Sequence, residues 1–189
     1  MRNSRLRMPL KPWLRSAEKG LSLPEVLVIV GLAMLLAAAV LPRVLGSRIA
    51  ANEASTIANL DNITSAQEAY KTAYPSIGYS DSLSHLGLVC GQRDCNPTPE
   101  HACLIDCKLP QATTKGQYGY MYGLSTSAPV PRAPRDQYVI AAAPVWFRRT
   151  GDHDYCAIED GRIRFRVSKS ATAAGLIDHS VCGRFAVLP

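Results

Sequence analysis

Lys19-Gly20-Leu21-Ser22-Leu23-Pro24-Glu25, followed at once by an apolar run to Leu41, decides how the rest of this chain is read. One carboxylate, Glu25, stands at the mouth of a segment otherwise fit for a bilayer. A charge in hydrocarbon costs about 2.5–3.5 kcal/mol on insertion scales, so such a position reflects a functional constraint. Val26 to Leu41 carry no charge. Counted from Leu21, the segment has about the 20 residues that cross a bilayer core. Before it, Arg2, Arg5, Arg7, Lys11, Arg15 and Lys19 stand against Glu18 alone, so the formal net charge of +6 lies almost wholly in residues 1–20. The chain after residue 20 is close to neutral, and nucleic acid is not an expected partner. The basic flank stays in the cytoplasm by the positive-inside rule, and everything after Leu41 is exported.

The basic-glycine pair, the offset of Glu25 and the apolar run together resemble the cleavage and methylation signal of type IV prepilins and pseudopilins. The resemblance implies a leader of residues 1–20, cut between Gly20 and Leu21 by a prepilin peptidase that methylates the new amine. Most members carry Phe where this chain has Leu21. It gives Glu25 an assembly role, its carboxylate pairing with the N-terminal amine of a neighbouring subunit. Pro42 matches a proline that pilin helices commonly carry at this distance from the cut, in a region able to melt when subunits pack. The implied partners are copies of the chain and sibling pilins in a helical filament, the peptidase, and an inner-membrane assembly platform with its ATPase. The implied location is the inner membrane for a single-pass precursor, then a periplasmic or cell-surface filament. A pilus and a pseudopilus of a type II secretion or DNA-uptake machine both fit. The rival class is a secreted or membrane-anchored disulfide-stabilised binding module, reached by an ordinary signal cut after Ala39 or by an uncleaved anchor. The long leader and Glu25 inside the apolar edge argue against it.

From Pro24 to about Tyr74 the sequence reads as one helix, which at 1.5 Å per residue spans roughly 75 Å. Pro24 is tolerated in a first turn, whereas Pro42, inside the rod, removes a backbone bond. Beyond the membrane run, Ile57, Leu60, Ile63, Ala66, Tyr70 and Ala73 recur every three or four residues and predict one apolar stripe. Asn52, Glu53, Asn59, Asp61, Gln67, Glu68 and Lys71 are assigned to the wet face. Pro75 and Gly78 stop the helix. Residues 76–116 read as a cysteine-bearing connection, with helical turns expected at 83–89 and 102–109. Residues 117–189 read as an antiparallel sheet of four strands, at 117–122, 137–142, 155–158 and 162–167. Glu159-Asp160-Gly161 makes a hairpin between the last two. The fold class is therefore α+β, a long N-terminal helix packed on a C-terminal four-stranded sheet. The pilin resemblance implies the same architecture, with 21–75 as the helix and 21–41 as its transmembrane, assembling half.

All six cysteines, Cys90, Cys95, Cys103, Cys107, Cys156 and Cys182, fall on the exported side, where disulfides are the default. Their spacings do not suit zinc. Fifteen connectivities are open. The arrangement expected here is nested, Cys95–Cys103 inside Cys90–Cys107, with Cys156–Cys182 tying the tail to the sheet. Arg162, Arg164 and Arg166 share one face of a strand, read as solvated. Asp152-His153-Asp154 resembles part of a calcium loop, but two clustered carboxylates fall short of a full ligand set. No metal and no cofactor is expected. His85, His101 and His179 are isolated, and neither HExxH, a P-loop nor GxSxG occurs, so the expected role is non-enzymatic.

Overall fold

The computed structural model describes residues 22–91, 94–169 and 177–189, and divides the chain into two units, Met1–Pro42 and Arg43–Pro189. The helix α1 is assigned over Leu23–Ala73. Its start carries half of a capping box. The Ser22 N–H and Oγ both donate to Glu25 Oε2, at 2.8 and 2.9 Å, so the Glu25 side chain satisfies the N–H at the helix mouth. Its end is set by Pro75, after which the Ile77 and Gly78 N–H groups both return to the Tyr74 carbonyl at 3.0 Å. Gly78 has φ +81°, and a Cβ there would run into the Arg135 backbone, so the chain reversal requires glycine.

Within the second unit the connection holds a short helix α2, Leu83–Leu86, capped by Ser82, and a 3-10 helix at Leu109–Thr113. Five antiparallel strands then form a meander: β1 Tyr120–Ser127, β2 Gln137–Pro144, β3 His153–Ile158, β4 Ile163–Val167 and β5 Ala186–Val187. A one-turn helix α3, His179–Cys182, precedes β5, with Asp178 as its cap. Because side chains alternate across a strand, the sheet has two faces. On one, Tyr120, Tyr122, Tyr138, Ile140, Tyr155 and Ala157 pack with Leu60, Ile63, Ala66 and Tyr70 of α1. On the other, Val139, Ala141, Ala143, Cys156 and Ile158 pack with Ile177 and Cys182, flanked by Val181 and Phe185. The interior strand β2 is thus covered on both sides, which accounts for its unbroken apolar run from Tyr138 to Pro144.

The α+β layout is as expected, with four differences in detail. The sheet has five strands, because Ala186–Val187 adds an edge to β4 through Phe165↔Ala186 and Arg164↔Val187. Two residues are too few to show a period. The first strand starts at Tyr120, since Tyr118 (φ 51°) and Gly119 (φ +74°) form a left-handed turn closed by the Gln117–Tyr120 backbone pair. Tyr118 therefore leaves the tyrosine face and is exposed. The helical turn expected at 102–109 is irregular chain instead, with Cys103 at φ 60°: the Ala102 N–H donates to the His85 carbonyl, and Leu104 and Ile105 donate to Leu86. Helical geometry begins only at Leu109, where Pro110 fits the first turn and Asp106 Oδ1 accepts from the Lys108 and Leu109 N–H groups. Finally, Ala73 is exposed, because the stripe runs from Tyr70 to the half-buried Tyr74.

Candidate functional site

Gly20 and Leu21, the residues of the expected cut, lie outside the described residues. Glu25 lies in the first turn of α1, held by Ser22. Pro42 falls within the assigned span of α1. From Leu23 to Leu45, every described side chain is exposed, and thirteen of them are large and apolar. Burying a large aliphatic side chain contributes about 1.5–3 kcal/mol. Left in water, such a surface forgoes roughly 20–40 kcal/mol, more than the whole net stability of a typical domain. The helix is long and apolar enough to cross a membrane.

Past Leu45 the same helix changes character, and its polar residues fasten it to the globular unit. The Asn52 amide donates to the Thr150 carbonyl at 3.0 Å, and the Asn59 amide to the Tyr122 hydroxyl at 3.0 Å. Glu53 Oε1 accepts from the Asp152 N–H at 2.8 Å and the His153 N–H at 3.2 Å, and lies 3.1 Å from His153 Nδ1. Burial pushes the Glu53 carboxyl up, but the Asp152 N–H and the His153 ring outweigh it and hold the group below its ordinary range. Gln67 is fully buried; its amide donates to the Ser80 carbonyl at 2.9 Å and its carbonyl accepts the Ser80 N–H at 2.8 Å. The sequence pattern assigns these residues to a wet face, and Gln67 is the clearest correction. A helical period marks apolar positions, but a polar residue one step off the stripe is buried whenever a distant backbone supplies its partners.

The six cysteines are paired as Cys90–Cys107, Cys95–Cys103 and Cys156–Cys182, with Cα separations of 5.1, 6.4 and 6.0 Å. The first two lie nested in the connection. The third joins the centre of β3 to α3, so the tail covering the second sheet face is covalently fixed.

The three arginines do not form a common solvated face. Arg164 is buried and ion-paired with Asp160, whose carboxyl that guanidinium holds below the usual range. Arg166 Nε donates to Asp154 Oδ2 at 3.0 Å, and its guanidinium lies 4.6 Å from the Phe185 ring centre. Only Arg162 is exposed. Asp154 is fully buried and committed to Arg166, which removes it from the calcium-like fragment of the sequence. His179 is not isolated either, lying 2.8 Å from the Glu159 carboxylate. His85 pairs with Asp81 at 3.0 Å.

Among the described residues, His, Cys, Asp and Glu do not gather in groups of three able to hold a metal ion. An open groove of about 450 Å³ between α1 and the connection is lined by Asn59, Asn62, Ser65, Leu104 and Asp106 over a floor of Ala66, Ile105 and Leu109. Asp106 already caps the 3-10 helix, so the groove brings no convergent acid–base pair to a substrate. The distinctive chemistry of the described chain is therefore the lone Glu25 in an exposed apolar helix. Compared with known proteins, the chain matches no family model, no curated protein and no solved structure.

Proposed function

We propose that this chain is a structural subunit of a type IV pilus-like filament, processed between Gly20 and Leu21 and polymerised through the first half of α1. The observation that carries the reading is the coincidence of Lys19-Gly20, Glu25 and a helix whose described apolar side chains are exposed from Leu23 to Leu45. A surface of this kind is stable only in lipid or against copies of itself, and a subunit that moves from membrane to filament core uses both. Glu25 then pairs with the amine that cleavage creates on a neighbour, an exchange favoured because a carboxylate in a low-dielectric medium seeks a cation. The disulfide-stapled sheet unit supplies the outer surface. Three cross-links suit any oxidising compartment outside the cytoplasm, and the large stapled connection favours an exposed filament over a periplasmic pseudopilus, the second reading. Peptidase, assembly platform with its ATPase, and sibling pilins are the proposed partners; the role is mechanical and not enzymatic.

The test is the intact mass and N-terminal sequence of the membrane-associated protein. The expected chain begins with N-methylated Leu21, and Gly20→Ala retains the leader. A chain beginning at Val40 or Met1, or a Gly20→Ala variant with the wild-type mature mass, overturns the proposal.

A further inference from the structure

We propose that the turn carrying Trp146, Arg148 and Arg149, with Tyr118 beside it, is a foot that seats the globular unit on the anionic headgroups of the bilayer anchoring α1. The inference rests on reading the first half of α1 as a membrane span, and not on filament assembly.

The turn displays the wrong side chains for water. Trp146 is 61% exposed and Tyr118 52%, and Arg148 and Arg149 beside them are exposed as well. Yet the backbone that presents them is fixed. Thr150 returns its N–H to the Trp146 carbonyl at 2.9 Å, and its Oγ1 accepts the Trp146 N–H at 3.0 Å. The Arg148 N–H donates to the Gly151 carbonyl at 3.0 Å, with Arg148 itself at φ 60°. An indole and two guanidiniums on an ordered turn, offered to solvent, match the interface of a bilayer. There the amphipathic rings of Trp and Tyr lie at headgroup depth on both sides of the bilayer, and on the exported side Arg meets anionic headgroups of the outer leaflet by simple Coulomb attraction.

Placement supports this reading more than composition does. The Asn52 amide holds the Thr150 carbonyl, so the turn is pinned to α1 nine residues beyond Arg43. Gly119 is packed so closely against Thr150 that a Cβ there would collide with it, which puts the Tyr118 turn alongside. From Leu45, an exposed apolar residue of the helix, to Asn52 is about 10 Å of helical rise, close to the screening length of about 8 Å at physiological salt. Arg43 and Arg48 are exposed on that same stretch of helix. Of the nearby acids, Glu53 is taken up by the Asp152 and His153 N–H groups, and Asp152 is half-buried. Arg43, Arg48, Arg148 and Arg149 outnumber Glu53 and Asp152, so this end of the sheet carries positive formal charge although the chain after residue 20 is nearly neutral. The other basic loop, with Val130 and Arg132 exposed, belongs to the opposite end, where Arg135 bridges to Gly78 beyond the end of α1.

The experiment uses the full chain with Trp13→Phe, which leaves Trp146 as its one tryptophan. The protein is reconstituted in vesicles of phosphatidylcholine, or of phosphatidylcholine with about a third phosphatidylglycerol, each containing a headgroup-spin-labelled lipid. Flotation reports anchoring, and Trp146 emission reports the foot. The expected result is quenching about two-fold or more stronger in the anionic vesicles, reduced toward the neutral value by Arg148→Gln/Arg149→Gln and by 1 M salt. If the chain floats but Trp146 remains as open to aqueous iodide as in detergent, the foot is refuted while the anchor stands. Quenching indifferent to lipid charge refutes it equally. A chain that does not float overturns the anchor and this inference with it.

Discussion

Replacing Gln67 by Leu tests whether the helix is held to the sheet unit by apolar packing alone. Both residues are of similar size, so the change opens little cavity. What it removes is a pair of hydrogen bonds to Ser80, a residue that is itself fully buried. The Ser80 N–H and carbonyl would then be desolvated without partners, at about 1–3 kcal/mol each. Some of that loss is offset by the apolar gain of Leu, so the expected net destabilisation is about 3 kcal/mol. In a protein of this size 1 kcal/mol shifts Tm by about 2–4 °C, which predicts a fall of roughly 6–12 °C. The assay is thermal unfolding followed by near-UV circular dichroism in detergent, with the disulfides intact. Hydrogen exchange at the Ser80 amide should accelerate in parallel, because the loss is local to that bond. A destabilisation below about 1 kcal/mol, with unchanged exchange at Ser80, would refute the claim that this polar pin carries stability.

Three further outcomes are expected. Replacing both Cys156 and Cys182 with Ala removes a link across 26 residues and should cost about 3–4 kcal/mol in urea unfolding; a loss confined to local exposure of α3 would show the tail is held by packing instead. The Glu53 carboxyl, held below its ordinary value of 4.5, contributes stability that is present above that pH and lost as pH falls through the depressed value. His153, Asp152, Tyr120 and Tyr155 face it, and Glu53→Gln should flatten the acid limb of the stability curve below about pH 4.5, as read by pH-dependent melting. For the proposed filament, Glu25→Ala should permit cleavage at Gly20 yet abolish filament yield. Ser22→Ala, which removes the Oγ bond to Glu25 but keeps the backbone N–H bond, should leave assembly largely intact, and equal defects in the two would reduce Glu25 to a helix cap.

What the sequence made legible were features written in local patterns. The helix bounds are one residue from those expected, because Pro24 and Pro75 set them through backbone geometry that no distant contact alters. The Asp160-Gly161 hairpin likewise arises from the turn's own chemistry, with Gly161 at φ +73°. The features that escaped were settled at long range. Gln67, Glu53, Asn52 and Asn59 look like surface residues until Ser80, Asp152, Thr150 and Tyr122 arrive from 13 to 99 positions away. The second sheet face had a local signal. Seven buried residues in a row, Tyr138–Pro144, exceed what a half-solvated strand tolerates, and the tail behind Cys182 was available to cover them.

Glu25 is where helix chemistry and proposed assembly meet. In the single chain its carboxylate is already satisfied by Ser22, so the group needs no neighbour to persist at the helix mouth. Both bonds land on Oε2, which engages one carboxylate oxygen and leaves the geometry of the cap independent of what meets the other. A cut after Gly20 would spare both donors of the box, since Ser22 lies beyond it. Under the proposed function, capping and intersubunit pairing are therefore compatible rather than competing. The cap stabilises the carboxylate while the subunit waits in the membrane, and the pairing adds a cation where water is absent. A residue with only the first role would be replaceable by Gln, which caps as well in a Ser-x-x-Gln box but cannot pair with an amine as a charge. That difference between hydrogen bonding and charge is what separates an ordinary helix start from an assembly site.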